Sequence, residues 1–174
     1  GRGVPLDWNE NEQRYNWELL YCELYAGGKY DNDEGEAYEY SLGLNGLGCC
    51  ATQYASKYMD VTVKRDGVVY SLHFEKGENI GGLKKEPYSG KDTGTKTRWK
   101  PDIEVFTDVD IPIEYFLDTL KRQAIVNDGL LFILREQQGS KFVQHEIVYK
   151  NGIKDYVNET VGEEKLSSVQ FWQT

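Results

Sequence analysis

The chain has 174 residues, with 20 basic and 29 acidic side chains and a formal charge of −9. That length suits one domain with a single core, and so acidic a surface repels phosphate backbones, so the chain is not expected to hold DNA by itself. No apolar run approaches membrane-spanning length and no signal-peptide pattern opens the chain, so no membrane partner and a cytoplasmic location are expected. Cys22, Cys49 and Cys50 form no CxxC pair, which argues against zinc and for reduced thiols.

Taken in chain order, Trp17, Leu20, Tyr21 and Leu24 recur at helical spacing and predict a helix from about residue 11 to 26, closed by Gly27-Gly28. Residues 29–42 mix acids, glycine and tyrosines without a period and read as a long, lid-like loop. Leu47, Ala51, Tyr54, Ala55 and Tyr58 predict a second helix over about 45–58. Val61 and Val63 then alternate with polar residues, Asp66-Gly67 signals a two-residue hairpin turn, and Val68 to Phe74 continue the alternation on the return. Residues 77–92 read as loop and 93–100 as a further strand.

Asp110 before Ile111-Pro112 predicts a helix start with Asp110 as the cap. Ile113, Phe116, Leu117, Leu120 and Ala124 supply its buried face, and Asn127-Asp128-Gly129 stops it. Strands over 130–135 and 141–149 flank a Gln138-Gly139 turn, and a short helix follows over 153–158. The order of elements is that of an α+β two-layer fold and not of a βαβ alternation.

Three glycine clusters could carry chemistry: Gly1-Arg2-Gly3, Gly27-Gly28-Lys29, and the run Gly43-Leu44-Asn45-Gly46-Leu47-Gly48 at the predicted start of the second helix. Glycine lets the backbone approach a ligand and expose its N–H groups, and a helix N-terminus carries roughly half a positive charge. Together these suit a di- or triphosphate, although a structural turn is the alternative. The run is not a Walker A loop, since no GK[ST] follows, and not a dinucleotide fingerprint, since no clear strand precedes it. Lys29 is a second phosphate candidate, with a solvated lysine as its alternative. Thr95 reads first as a β-former whose hydroxyl could order a water or a carboxylate. His73 and His145 lie in separate predicted strands with no triad-like neighbour, and the carboxylates Glu163-Glu164 and Asp31, Asp33 and Glu34 read as solvated charge.

In this order and spacing, GRGVP, YAGGKYDND, YSLGLNGLG and KDTGTKTRWKPD resemble successive landmarks of the ATPase domain of bacterial type II topoisomerases. The gyrase B type is favoured over the B type of topoisomerase IV. The resemblance runs from Gly1 to about Trp172 and places the chain in the superfamily that also holds chaperone, mismatch-repair and histidine-kinase ATP sites. It implies an α+β two-layer sandwich, a mixed, mostly antiparallel sheet with helices on one face and ATP among the helices beneath a lid.

By position, the resemblance puts Gly3 and Pro5 beside the adenine and Leu20 at the apolar end of the pocket. Gly27, Gly28 and Lys29 begin the lid, and Tyr38 is a lid residue near the nucleotide. Leu44, Asn45, Gly46, Leu47 and Gly48 supply phosphate-binding amides. Thr95 helps to hold an adenine-reading aspartate and its water, and Arg2 and Arg65 stand at the mouth where inhibitors bind. Asn45 and Leu42 replace the family's histidine and glycine, and the lid is slightly longer.

The family's general-base glutamate, its magnesium-holding asparagine and its adenine-reading aspartate would all precede Gly1, and a transducer domain with a phosphate-contacting lysine would follow. The resemblance therefore implies a partial ATPase domain over residues 1–174, with its first helix and strand missing. Its parent would use ATP and Mg and act with the gyrase A subunit and DNA. The chain alone is expected to hold neither ATP nor Mg tightly, to contribute no metal ligand or catalytic residue, to turn over no ATP, and to self-associate through an opened sheet edge. The competing readings are an incomplete nucleotide-binding module and a structural fragment.

Overall fold

The computed structural model describes residues 1–26, 46–164 and 166–170. It divides into two units, Gly1–Val109 and Asp110–Thr174.

The first unit is built on a meander. β3 (Ser56–Arg65) turns back into β4 (Val68–Glu75), and Arg65 pairs with Val68 across Asp66 and Gly67. Both turn residues have positive φ, +52° and +73°, which is the geometry a tight hairpin needs to match the twist of its strands. On its other side β3 pairs with β7 (Gly94–Pro101). The free side of β4 takes β5 (Glu78–Asn79) and β6 (Lys84–Pro87), giving the order β5-β4-β3-β7 with β6 also on β4. Every pairing among the described residues is antiparallel.

Alternation along β3 decides which face is covered. Met59, Val61 and Val63 are buried, and the residues between them are half-exposed. With Leu72 and Phe74 of β4, Leu6 and Tyr21, they form the core, and Val4, Trp17 and Leu20 pack against it. The rings of Trp17 and Tyr21 stand 6.0 and 5.8 Å from that of Phe74. Burial pushes the Tyr21 hydroxyl up to about 12; nearby Cys49 adds to the shift and a bond with Thr97 opposes it.

The predicted first helix is cut to α1, Asn16–Tyr21. The residues before it instead form a miniature hairpin, β1 (Trp8–Asn9) on β2 (Arg14–Tyr15). In the connecting turn the Asn9 side-chain oxygen accepts the amides of Asn11 and Glu12. Gln13 then takes a positive φ of 52°. The helix starts where the Glu18 carboxylate accepts the Tyr15 amide. Leu24 lies beyond its end and is exposed.

The second predicted helix shrinks to α2, Gly48–Tyr54, and Tyr58 belongs to β3. On α2, Cys50 and Gln53 are inside, whereas Ala51 and Tyr54 are exposed. Thr52 and Ser56 donate their hydroxyls to the carbonyls of Gly48 and Thr52, four residues back in each case. Such back-bonding accompanies helix ends. The stretch 77–92 is not all loop, since β5 and β6 lie in it.

In the second unit α3 (Ile113–Val126) begins one residue after Pro112, which stands at the cap position with no side-chain cap. The cap position thus falls on Pro112, two residues beyond Asp110, and the chain stays extended through Pro112 at ψ 142°. Ala124 is buried, Ile113, Leu117 and Leu120 are half-buried, and Phe116 is exposed. β8 (Phe132–Gln138) and β9 (Lys141–Ile147) form a separate hairpin. α4 (Ile153–Val161) runs three residues past its predicted end. The Tyr149 hydroxyl donates to Glu159 at 2.6 Å, and Lys121 bonds the same carboxylate at 2.8 Å, joining α3 to α4.

Candidate functional site

The Gly1–Pro5 turn is held from two strands of the first unit. Val4 donates its amide to Thr95 Oγ1 at 3.0 Å, and Thr93 Oγ1 donates to the Gly1 carbonyl at 2.8 Å. From β3, Arg65 Nη1 donates to the Gly3 carbonyl at 3.0 Å. Gly3 itself has φ +80°, and a Cβ there would stand 2.9 Å from both the Lys64 carbonyl and Val63 Cγ1. Glycine is required on both counts, conformation and space. Leu6, two residues on from Val4, is buried and anchors the turn in the core, and Pro5 is half-buried between them.

Of the remaining predicted site residues, Leu20 packs against the same core as Val4. Arg2 is exposed. Gly46 takes a positive φ of 61° and Leu47 is the N-cap of α2, whose first helical bond runs from the Ala51 amide to the Leu47 carbonyl at 2.9 Å. The amides of the first turn therefore have no acceptor within the helix, and a Cβ at Gly48 would meet nothing within 4 Å. Amides without a helical acceptor suit an anionic group. Gly27, Gly28, Lys29, Tyr38, Leu44 and Asn45 lie outside the described residues. Among the described residues no cluster of His, Cys, Asp and Glu could hold a metal ion, and no helix is long and apolar enough to cross a membrane.

Three side chains that the sequence did not flag meet behind the turn: Lys64 Nζ bonds Asp92 at 2.7 Å and the Tyr88 hydroxyl at 3.1 Å. Tyr88 and Asp92 lie 24 and 28 positions beyond Lys64, and only the strand register brings the three together.

All three cysteines are free. Burial, with Cys50 and Glu18 nearby, pushes the Cys22 thiol up, and burial, with Cys49 and Glu23 nearby, does the same at Cys50. Both are thus poor nucleophiles.

His145 is half-buried, while His73 stands between two carboxylates, with Nδ1 2.7 Å from Asp60 and Nε2 3.1 Å from Glu75. The bond to Asp60, then that to Glu75, raises its pKa. A raised folded-state pKa contributes stability that is full below the unfolded value of about 6.5 and is lost as pH rises through the folded one. The pair is solvent-exposed, and Arg98 competes for Asp60 at 3.9 Å, so the gain is about 1 kcal/mol or less. Proton NMR titration of the His73 ring is expected to give an upshifted midpoint that Asp60→Asn lowers; a midpoint unmoved by that change would show the contact to be inert.

No family model matches the chain. It is 33% identical over 162 residues to the B subunit of DNA topoisomerase 4 from Salmonella typhimurium, covering 92% of the chain and 25% of that protein. It is 32% identical over 171 residues to the B subunit of DNA gyrase from Helicobacter pylori, covering 97% and 22%. The chain thus spans about a quarter of the length of the relatives it matches. Among solved structures it resembles the ATPase domain of Thermus thermophilus gyrase B in complex with an aminocoumarin, with a TM-score of 0.72 at 21% identity over 94% of the chain and 39% of that one. It also resembles the ATP-binding domain of Francisella tularensis topoisomerase IV with a small-molecule inhibitor, with a TM-score of 0.70 at 25% identity over 100% of the chain and 45% of that one. The α+β fold, with its mostly antiparallel sheet, is that of these domains, and over nearly its whole length the chain is homologous to the ATPase domain of the B subunits of type II topoisomerases.

Proposed function

We propose that residues 1–174 form part of the ATP pocket of a type II topoisomerase B subunit. The observation that carries this is the doubly held turn: Thr95 accepts the Val4 amide and Arg65 donates to the Gly3 carbonyl, so backbone is presented rigidly at one end of the core. On this reading Gly3 and Pro5 border the adenine, Leu20 lines the apolar end, and Thr95 orders the base side. Gly46, Leu47 and Gly48 offer amides to the phosphates, together with Leu44 and Asn45. Gly27, Gly28, Lys29 and Tyr38 cover the nucleotide, and Arg2 and Arg65 stand at the mouth. ATP supplies the phosphoanhydride that the parent cleaves. The described residues offer no set of ligands for Mg.

The parent on this proposal is a gyrase-type B subunit, acting with an A subunit on DNA. Relatives of both kinds match the chain at nearly equal identity, 32% and 33%, so the activity of the parent decides between them. Negative supercoiling of plasmid by the full-length parent with its A subunit tests it, and decatenation without supercoiling would move the assignment to topoisomerase IV.

Binding by the 174 residues is proposed to occur without turnover. Two carboxylates adjoin the residues that hold the turn, and each is engaged: Asp66 with Arg65 at 2.9 Å and Asp92 with Lys64 at 2.7 Å. The bond to Lys64 holds the Asp92 carboxyl below the usual carboxylate range, so it is a weak base.

Calorimetric titration of the 174-residue chain with ATP and with an aminocoumarin tests the reading. Both are expected to bind, ATP only weakly, and Thr95→Val, which keeps the shape but leaves the Val4 amide without its acceptor, is expected to weaken ATP further, roughly tenfold. Absence of binding by both ligands would overturn the pocket, and ATP turnover above buffer would overturn the inactivity.

A further inference from the structure

We infer that Lys64, Tyr88 and Asp92 form a latch that positions the Gly1–Pro5 turn for the base, a role that rests on the adenine reading above. Lys64 and Arg65 are adjacent in β3, so their side chains leave opposite faces of the sheet. Arg65 reaches the Gly3 carbonyl on the face of the turn. Lys64 reaches the segment between β6 and β7 on the other, bonding Asp92 at 2.7 Å and the Tyr88 hydroxyl at 3.1 Å, with its ammonium 4.7 Å from the centre of the Tyr88 ring. The Tyr88 hydroxyl also donates to Asp92, closing a three-membered set. The Tyr88 amide is tied to the Gly67 carbonyl at 2.8 Å, and a Cβ at Gly90 would collide with the Tyr88 ring, so the segment wraps closely around that side chain.

The connection to the turn is short. Thr93, the residue after Asp92, donates to the Gly1 carbonyl, and Thr95 accepts the Val4 amide. The Gly94 carbonyl between them lies 3.3 Å from where a Cβ on Gly3 would be. Fixing Asp92 therefore fixes the three residues against which the turn is laid. Lys64 raised and Asp92 lowered in pKa, each chiefly by the bond to the other, accord with a pair that stays charged across the neutral range. These are positioning residues, since none of the three touches the proposed base itself.

The test uses the whole 174-residue chain and two readouts, one of which needs no ligand. In Asp92→Asn the Val4 amide is expected to exchange with deuterium about fivefold faster, and adenosine and ATP are expected to weaken by the same factor of about five, because only the base end moves. The reciprocal swap Lys64→Asp with Asp92→Lys is expected to restore both. Should Asp92→Asn misfold, Tyr88→Phe removes one hydroxyl and is expected to give the same pattern at smaller size. Unchanged Val4 exchange in these variants overturns the latch whatever the ligand data. Faster exchange with wild-type adenosine and ATP affinities leaves the latch as a fold element and overturns its role toward the base. If the unmodified chain binds neither adenosine nor ATP, the adenine reading fails, while Val4 exchange still decides whether the latch holds the turn.

Discussion

Phe74→Ala is expected to lower the unfolding free energy of the first unit by about 3–5 kcal/mol. Phe74 is fully buried in β4 and meets Trp17 and Tyr21 of α1, so its ring joins helix to sheet. Removing it deletes buried apolar surface and leaves a cavity that neighbouring Met59 and Leu72 can only partly fill, because both are themselves fixed in the core. Urea unfolding followed by tryptophan fluorescence measures the loss, and Trp17, edge-on to Phe74, is the natural reporter. A loss below about 1 kcal/mol would show that α1 is not held by this contact.

Gly3→Ala is the second large effect, expected at roughly 2–5 kcal/mol. The left-handed backbone costs a non-glycine residue about 1–2 kcal/mol, and forcing an atom into a packed site costs about 1–3 kcal/mol more. The Cβ would meet a backbone carbonyl, that of Lys64, in the central strand of the sheet, so relief must come from the turn itself. Displacing the turn strains the bonds from Val4 to Thr95 and from Arg65 to the Gly3 carbonyl together. ATP binding is therefore expected to be lost even where the unit stays folded. Gly48→Ala is the stability comparison: its Cβ meets open space, and alanine favours helix over glycine by about 1 kcal/mol, so that change is expected to leave the fold intact. Equal unfolding midpoints for Gly3→Ala and the unmodified chain would refute the steric argument.

What the sequence made legible was what local rules govern. The β3–β4 hairpin was readable because Asp66-Gly67 supplies two positive-φ residues at the one place they are needed, with Val61, Val63, Leu72 and Phe74 alternating on either side. The two early helices were overextended for different reasons. Gln13 takes a left-handed backbone inside the stretch that the first helix was expected to fill, and a stripe of Tyr54 and Tyr58 imitated helical spacing across a boundary where strand pairing wins. Gln53 is polar and nonetheless fully buried, which no apolar pattern announces. β6 was invisible because Lys84 to Pro87 are all exposed and show no alternation. At the candidate site, the Gly3 turn and the Thr95 that holds it were legible through their order along the chain. Lys64, Tyr88 and Asp92 were not, since each looks like an ordinary surface side chain until the register of β3 and β7 sets them side by side.

A single residue, Ala55, separates the end of α2 from the start of β3, and hydroxyls on either side of it are already committed to the helix carbonyls. That junction leaves no slack. A push delivered at the glycine-lined entrance to the helix has no flexible hinge in which to dissipate before it reaches a ten-residue strand whose far tip carries Lys64 and Arg65. Mechanically, the two ends of the candidate pocket are mounted on one continuous shaft.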